Sequence, residues 1–139
     1  MPESATHADL VHSIVAFAEL KLGPMTSIAI REDAVRPIRG EKPPRIGGYT
    51  PDVHAVDVPT TRTLVGEAKT QTDLERDHTR RQVAAFLQYL AVTPYGIFVL
   101  AVPLAARATA RRLITELNAP FANAGTRLVV LDPTGTSEH

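Results

Sequence analysis

Between residues 6 and 22 the apolar side chains recur at helical spacing. Val11, Ile14, Val15, Ala18 and Leu22 fall three and four apart, which is the stripe of an amphipathic helix. Thr6 and Asp9 stand where a helix start signal belongs, and Gly23-Pro24 interrupts the pattern. Residues 25–30 read as a short strand, and residues 35–50, rich in Pro, Gly and Arg, as a loop. The period then changes to two. Residues 53–58 and 63–69 are β-branched runs separated by Pro59-Thr60-Thr61-Arg62, a pattern that predicts an antiparallel hairpin. Thr72-Asp73-Leu74-Glu75 has the spacing of a capping box, and Val83, Phe86, Leu87 and Leu90 follow as the stripe of a second helix. Residues 95–102 are apolar throughout, as in a strand covered on both faces. Pro103 suits the first turn of a third helix with stripe Ala106, Ala110, Leu113, Ile114 and Leu117. Residues 126–131 read as a last strand and residues 132–139 as a frayed polar tail.

The order helix, three strands, helix, strand, helix, strand predicts an α/β fold with a single mixed β-sheet flanked by helices. A right-handed strand-helix-strand crossover leaves its two strands parallel, whereas the opening meander is antiparallel. At 139 residues the chain suits one domain, with a core over residues 6–131. The absence of cysteine removes disulfides, thiolate zinc sites and cysteine nucleophiles. His7, His12, His54, His78 and His139 are never three or four apart, so no helical zinc pair is expected. No apolar run has the length of a membrane span, and the first residues lack a basic start and an apolar signal core. The expectation is a soluble, cytoplasmic protein without a membrane partner. Fifteen Lys plus Arg balance fifteen Asp plus Glu, so binding to nucleic acid must rest on local charge.

Candidate chemistry concentrates on the hairpin. Alternation along an extended strand puts Glu67 and Lys69 on one side and Leu64, Gly66 and Ala68 on the other. Asp52, at the start of the partner strand, can be brought across toward Glu67. Two carboxylates at close range need a cation or a proton between them, and Mg²⁺, a hard ion, favours oxygen ligands such as these together with the Ala68 carbonyl. An ion there would polarise a phosphoryl oxygen and lower the pKa of a bound water, with Lys69 orienting that water, which suits phosphodiester hydrolysis. The bland alternative is a cross-strand charge cluster on a solvated face. The loop holding Arg36, Arg39, Lys42 and Arg45 beside the single acid Glu41 fits a phosphate-contacting arm, or equally a solvated loop. His54 shares the strand face of Asp52, and Asp57 reads as a strand-end charge.

Pro51-Asp52, a spacer and then Glu67-Ala68-Lys69 resembles the signature of the PD-(D/E)XK nuclease superfamily, the restriction endonuclease-like fold. The resemblance covers residues 6–131 through the order αβββαβαβ. It implies a nuclease acting on DNA, with Mg²⁺ (or Mn²⁺ as substitute) on Asp52, Glu67 and the Ala68 carbonyl, and Lys69 as the catalytic lysine. It also implies that Glu19 supplies the first-helix acid of the Holliday-junction-resolvase-like branch, near the metal. Gln82 matches a glutamine that some branches carry after the motif, but Phe86 stands where those branches have tyrosine, which leaves the subfamily open. A homodimer, or a partner protein supplying specificity, would compensate for the lack of a separate sequence-reading module. The alternative is a non-catalytic nuclease-like subunit that binds DNA or assembles with another protein.

Overall fold

The computed structural model of the chain describes residues 5–22, 28–32, 43–57 and 61–138. It has α1 (Ala5–Leu22), β1 (Ile28–Glu32), β2 (Val53–Asp57), β3 (Thr63–Ala68), α2 (Gln71–Leu74), α3 (Asp77–Ala91), β4 (Gly96–Ala101), α4 (Arg107–Asn118), β5 (Arg127–Asp132) and β6 (Gly135–Glu138). The six strands form one sheet in the order β1-β2-β3-β4-β5-β6. The pairs β3–β4 and β4–β5 are parallel, and the other three are antiparallel. This is the mixed, helix-flanked α/β sheet that the periodicity predicts.

Alternation assigns each side of the sheet to one layer of helix. Val53, Ala55, Leu64, Ala68, Val99 and Val129 pack with the α1 residues Leu10, Val11, Ile14 and Ala18. Val65, Phe98, Leu100 and Val130 pack with Val83, Phe86 and Leu87 of α3 and with Ala110, Leu113 and Ile114 of α4. Every residue of β3 and β4 is buried, as expected for central strands covered on both faces. Burying a side chain such as Ile14 stabilises the fold by about 1.5–3 kcal/mol.

α1 lies tight against the sheet at Gly66, where a Cβ would fall 2.5 Å from Ile14 Cγ2. Ile14 is itself fully buried, and its Cγ2 sits on a stiff branched carbon. Gly66→Ala is therefore expected to destabilise the protein by about 1–3 kcal/mol through overpacking. Urea denaturation of the variant, with an unchanged m value, checks this.

Four details differ from the expectations. First, α1 includes Thr6 in its first turn, so Thr6 is not the residue that precedes the helix. Second, β1 is found at Ile28–Glu32, extending past the expected strand end, and residues 25–27 lie outside the described residues. Third, the capping box is formed by Thr70 and Asp73, not by Thr72 and Glu75. β3 ends at Ala68, so the chain enters its helical turn at once and the earlier of two overlapping Thr-x-x-acid patterns is used. The helical segment then breaks at Glu75-Arg76 and resumes at Asp77. Fourth, residues 135–138 are not a frayed tail: β6 pairs with β5. The Asp132 side chain accepts hydrogen bonds from the Thr134 N–H and hydroxyl and so holds the intervening turn, and Arg127 Nε lies 2.8 Å from Glu138 Oε1 across the two strands.

Candidate active site

The β2–β3 hairpin is fastened at both ends by a carboxylate. At its turn, Asp57 accepts from the backbone N–H groups of Thr61 and Arg62, at 2.7 and 2.8 Å. It also accepts from the Thr61 hydroxyl and from Arg62 Nε, both at 2.9 Å. The Arg62 guanidinium continues to the carbonyls of Lys21 and Leu22, at 3.0 and 3.1 Å, and so satisfies carbonyls that the last turn of α1 leaves open. Burial pushes the Asp57 carboxyl up, but the hydrogen bonds from Arg62 and Thr61 outweigh it and hold the group well below the usual carboxylate range.

At the open end of the hairpin the register Val53↔Gly66 places Asp52 opposite Glu67. The two side chains extend the ladder by exchanging backbone contacts. The Asp52 N–H donates to Glu67 Oε1 at 2.9 Å, and the Ala68 N–H donates to Asp52 Oδ2 at 2.8 Å. Lys69, just past the strand, keeps to the side of the sheet taken by Glu67, with Nζ 3.4 Å from Glu67 Oε2. The Lys69 N–H donates to the Ala101 carbonyl at 3.0 Å, so the start of this segment is held by the neighbouring parallel strand. The three motif side chains thus converge at the carboxyl-terminal ends of the parallel strands, where open α/β sheets place their ligand sites.

Glu67 is 1% exposed. Burial, and next the charge of Asp52, push its carboxyl well above the ordinary range, against the opposing effects of the Lys69 ammonium and the Asp52 N–H. Its charged form is therefore disfavoured, a cost that a bound cation would offset. Among the described residues no group of three or more acidic or histidine side chains gathers in metal-binding geometry. A divalent ion would rest on the Asp52 and Glu67 carboxylates, the Ala68 carbonyl and water. That donor set fits Mg²⁺, which commonly takes one or two carboxylates and keeps several waters.

His7 is a neighbour that sequence reasoning missed. Its Nε2 lies 3.5 Å from Asp52 Oδ1, so α1 touches the acid pair through its first turns. A signal was available: His7 precedes Leu10, Val11 and Ile14 by three, four and seven residues, which puts it on the buried stripe of α1. Glu19 is correspondingly misplaced by the resemblance. It lies twelve residues beyond His7, about 18 Å along the helix, toward the end that Arg62 caps. The structure does not bring Glu19 to Asp52 and Glu67.

Gln82 is buried on α3, on the side of the sheet that Glu67 faces, and its Oε1 has no hydrogen-bond partner among the described residues. His54 is buried in β2 with Nε2 3.4 Å from the Tyr89 hydroxyl, so it contacts α3. Arg45 is exposed and donates to the Gly48 carbonyl across the tight turn of Gly47 and Gly48. Both glycines have positive φ, 59° and 86°, as a two-residue turn of this hand requires. Arg36, Arg39 and Lys42 lie outside the described residues. No helix among the described residues is long and apolar enough to cross a membrane.

No family model matches the chain, and no curated protein or solved structure matches it significantly.

Proposed function

We propose that the chain is a metal-dependent nuclease that hydrolyses phosphodiester bonds in DNA, working in the manner of the PD-(D/E)XK enzymes. The observation that supports this reading is the meeting of Asp52, Glu67 and Lys69 at the carboxyl end of the parallel strands, with the charged form of Glu67 disfavoured by burial and by the neighbouring Asp52. Mg²⁺, or Mn²⁺ in its place, would be held by Asp52, Glu67 and the Ala68 carbonyl and would supply polarisation of the phosphoryl oxygen and acidification of a bound water.

The remaining work belongs to the chain. The Ala68 and Asp52 N–H groups fix the two carboxylates, so neither has to reorganise when a phosphate arrives. The buried strand excludes bulk water from Glu67, which strengthens every charge interaction at the site. Lys69 holds an ammonium beside Glu67 from which it can hydrogen-bond the attacking water or a phosphate oxygen. A second copy of the chain would present a second such site to the opposite DNA strand, and an intracellular DNA is the substrate this reading requires.

The test is incubation of purified protein with duplex, nicked, flapped and branched DNA in Mg²⁺ or Mn²⁺. Wild type is expected to cleave at least one form. Lys69→Ala is expected to lower the rate by about 10²–10³-fold, the range lost with one preorganised charge-stabilising group, with an unchanged circular dichroism spectrum. Absence of cleavage of all these forms would overturn the proposal.

A further inference from the structure

The formal charge of the chain is zero, but its charges are unevenly spread. Asp57, Glu67 and Asp132 are buried, and each lies beside a cation, respectively Arg62, Lys69 and Arg107. On α4 three arginines, Arg107, Arg111 and Arg112, face one acid, Glu116. Glu116 is already engaged: Arg80 of α3 reaches its Oε1 at 2.8 Å. Arg107 is drawn to Asp132, Nε to Oδ2 at 3.5 Å. Arg111 and Arg112 are exposed, and neither has an ion-pair partner among the described residues. Ala108, Thr115 and the Arg80-paired Glu116 lie beside them and line a shallow recess along the helix. Two exposed guanidinium forks beside a carboxylate that Arg80 already pairs leave a net positive surface, which is complementary to a row of phosphates.

Placement ties this surface to the acid pair. β4 ends at Ala101, whose carbonyl accepts the Lys69 N–H, and a short 3₁₀ turn, Leu104–Ala106, leads from there into α4. The arginine face therefore starts at the end of the sheet that carries Asp52 and Glu67. The recess contains no large apolar side chain to enter a lipid layer and no aromatic ring to stack an unpaired base. We infer that Arg111 and Arg112 contact the phosphate backbone of duplex DNA and seat it so that one strand passes the acid pair. The seating role rests on the nuclease reading; the contact itself can be measured without metal.

Fluorescence anisotropy of a labelled duplex in EDTA, over a series of salt concentrations, reads the number of phosphates engaged. Losing two contacts lowers the slope of log affinity against log salt by about 1.8. Arg111→Ala/Arg112→Ala is expected to show that loss, so that the fall in affinity between 50 and 200 mM salt shrinks by roughly tenfold. Lys21→Ala, which removes an exposed cation from the far end of α1, is expected to keep the wild-type slope. A double variant with the wild-type slope, or a wild type that does not bind duplex at low salt, overturns the inference. So does binding to phosphatidylserine vesicles in place of DNA. A lost slope in a protein that never cleaves DNA in Mg²⁺ sinks the nuclease reading and leaves the DNA contact standing.

Discussion

Glu67→Gln is expected to lower metal-dependent cleavage by about a thousandfold or more, roughly 4 kcal/mol of barrier, while changing the pH dependence of stability in the opposite sense to most carboxylate losses. The substitution keeps an oxygen to accept the Asp52 N–H, so the strand pairing survives. It removes the buried charge that any ion at Asp52 would need. The linkage has a definite sign. The folded-state pKa of Glu67 is raised above the ordinary 4.5, so the folded protein binds the extra proton, and stability falls as pH rises from that value toward the folded pKa. Wild type thus bears a cost that the glutamine variant does not. The difference in unfolding free energy between Glu67→Gln and wild type should move in favour of the variant as pH increases above 4.5, by up to about 1.4 kcal/mol per unit. Urea titrations at several pH values, run beside cleavage assays, check both halves. A variant that keeps its cleavage rate, or a stability difference independent of pH, contradicts the proposed role.

Asp57→Ala should produce the largest loss of stability, about 2–4 kcal/mol, with a fall in Tm on the order of 10 °C. The carboxylate satisfies two backbone N–H groups, one hydroxyl and the Arg62 guanidinium, and through Arg62 it secures the end of α1. Truncation leaves those donors without their acceptor and releases the arginine from its position under the helix. Because the folded-state pKa lies well below the ordinary 3.8, this contribution is complete above that value and is lost as pH falls below it. The stability difference between wild type and Asp57→Ala should therefore narrow in acid, which thermal melts between neutral and strongly acidic pH can measure.

The parts of the site that follow strand alternation were readable from sequence. Glu67 and Lys69 share a side, Leu64, Gly66 and Ala68 take the other, and Asp52 meets Glu67 across the hairpin. A period of two fixes the face of every residue once one is known. The first helix was harder, because an apolar stripe fixes which side of a helix is buried but not which end abuts a site. Glu19 is the helix acid that sequence suggests for the site, whereas the α1 residue beside Asp52 is His7. β6 was unreadable for another reason: Gly135, Thr136, Ser137 and Glu138 carry no apolar alternation. That edge strand depends on pairing with β5, on the Asp132 turn and on the Arg127–Glu138 ion pair, none of which leaves a hydrophobic pattern. The role of Asp57 leaves no sequence pattern, because burial of a strand-end acid depends on Arg62 and on the distant carbonyls of Lys21 and Leu22.

Fastening a ribbon at its two extremities has an evolutionary corollary. One extra amino acid within either strand between Asp52 and Glu67 would turn the downstream side chains through half a revolution, driving the glutamate into Ile14 and the small neighbour of Ile14 away from it. Deletions and insertions in this ribbon are thereby channelled into the bend, and the spacing of the two acids can drift among descendants only as far as that bend absorbs the change.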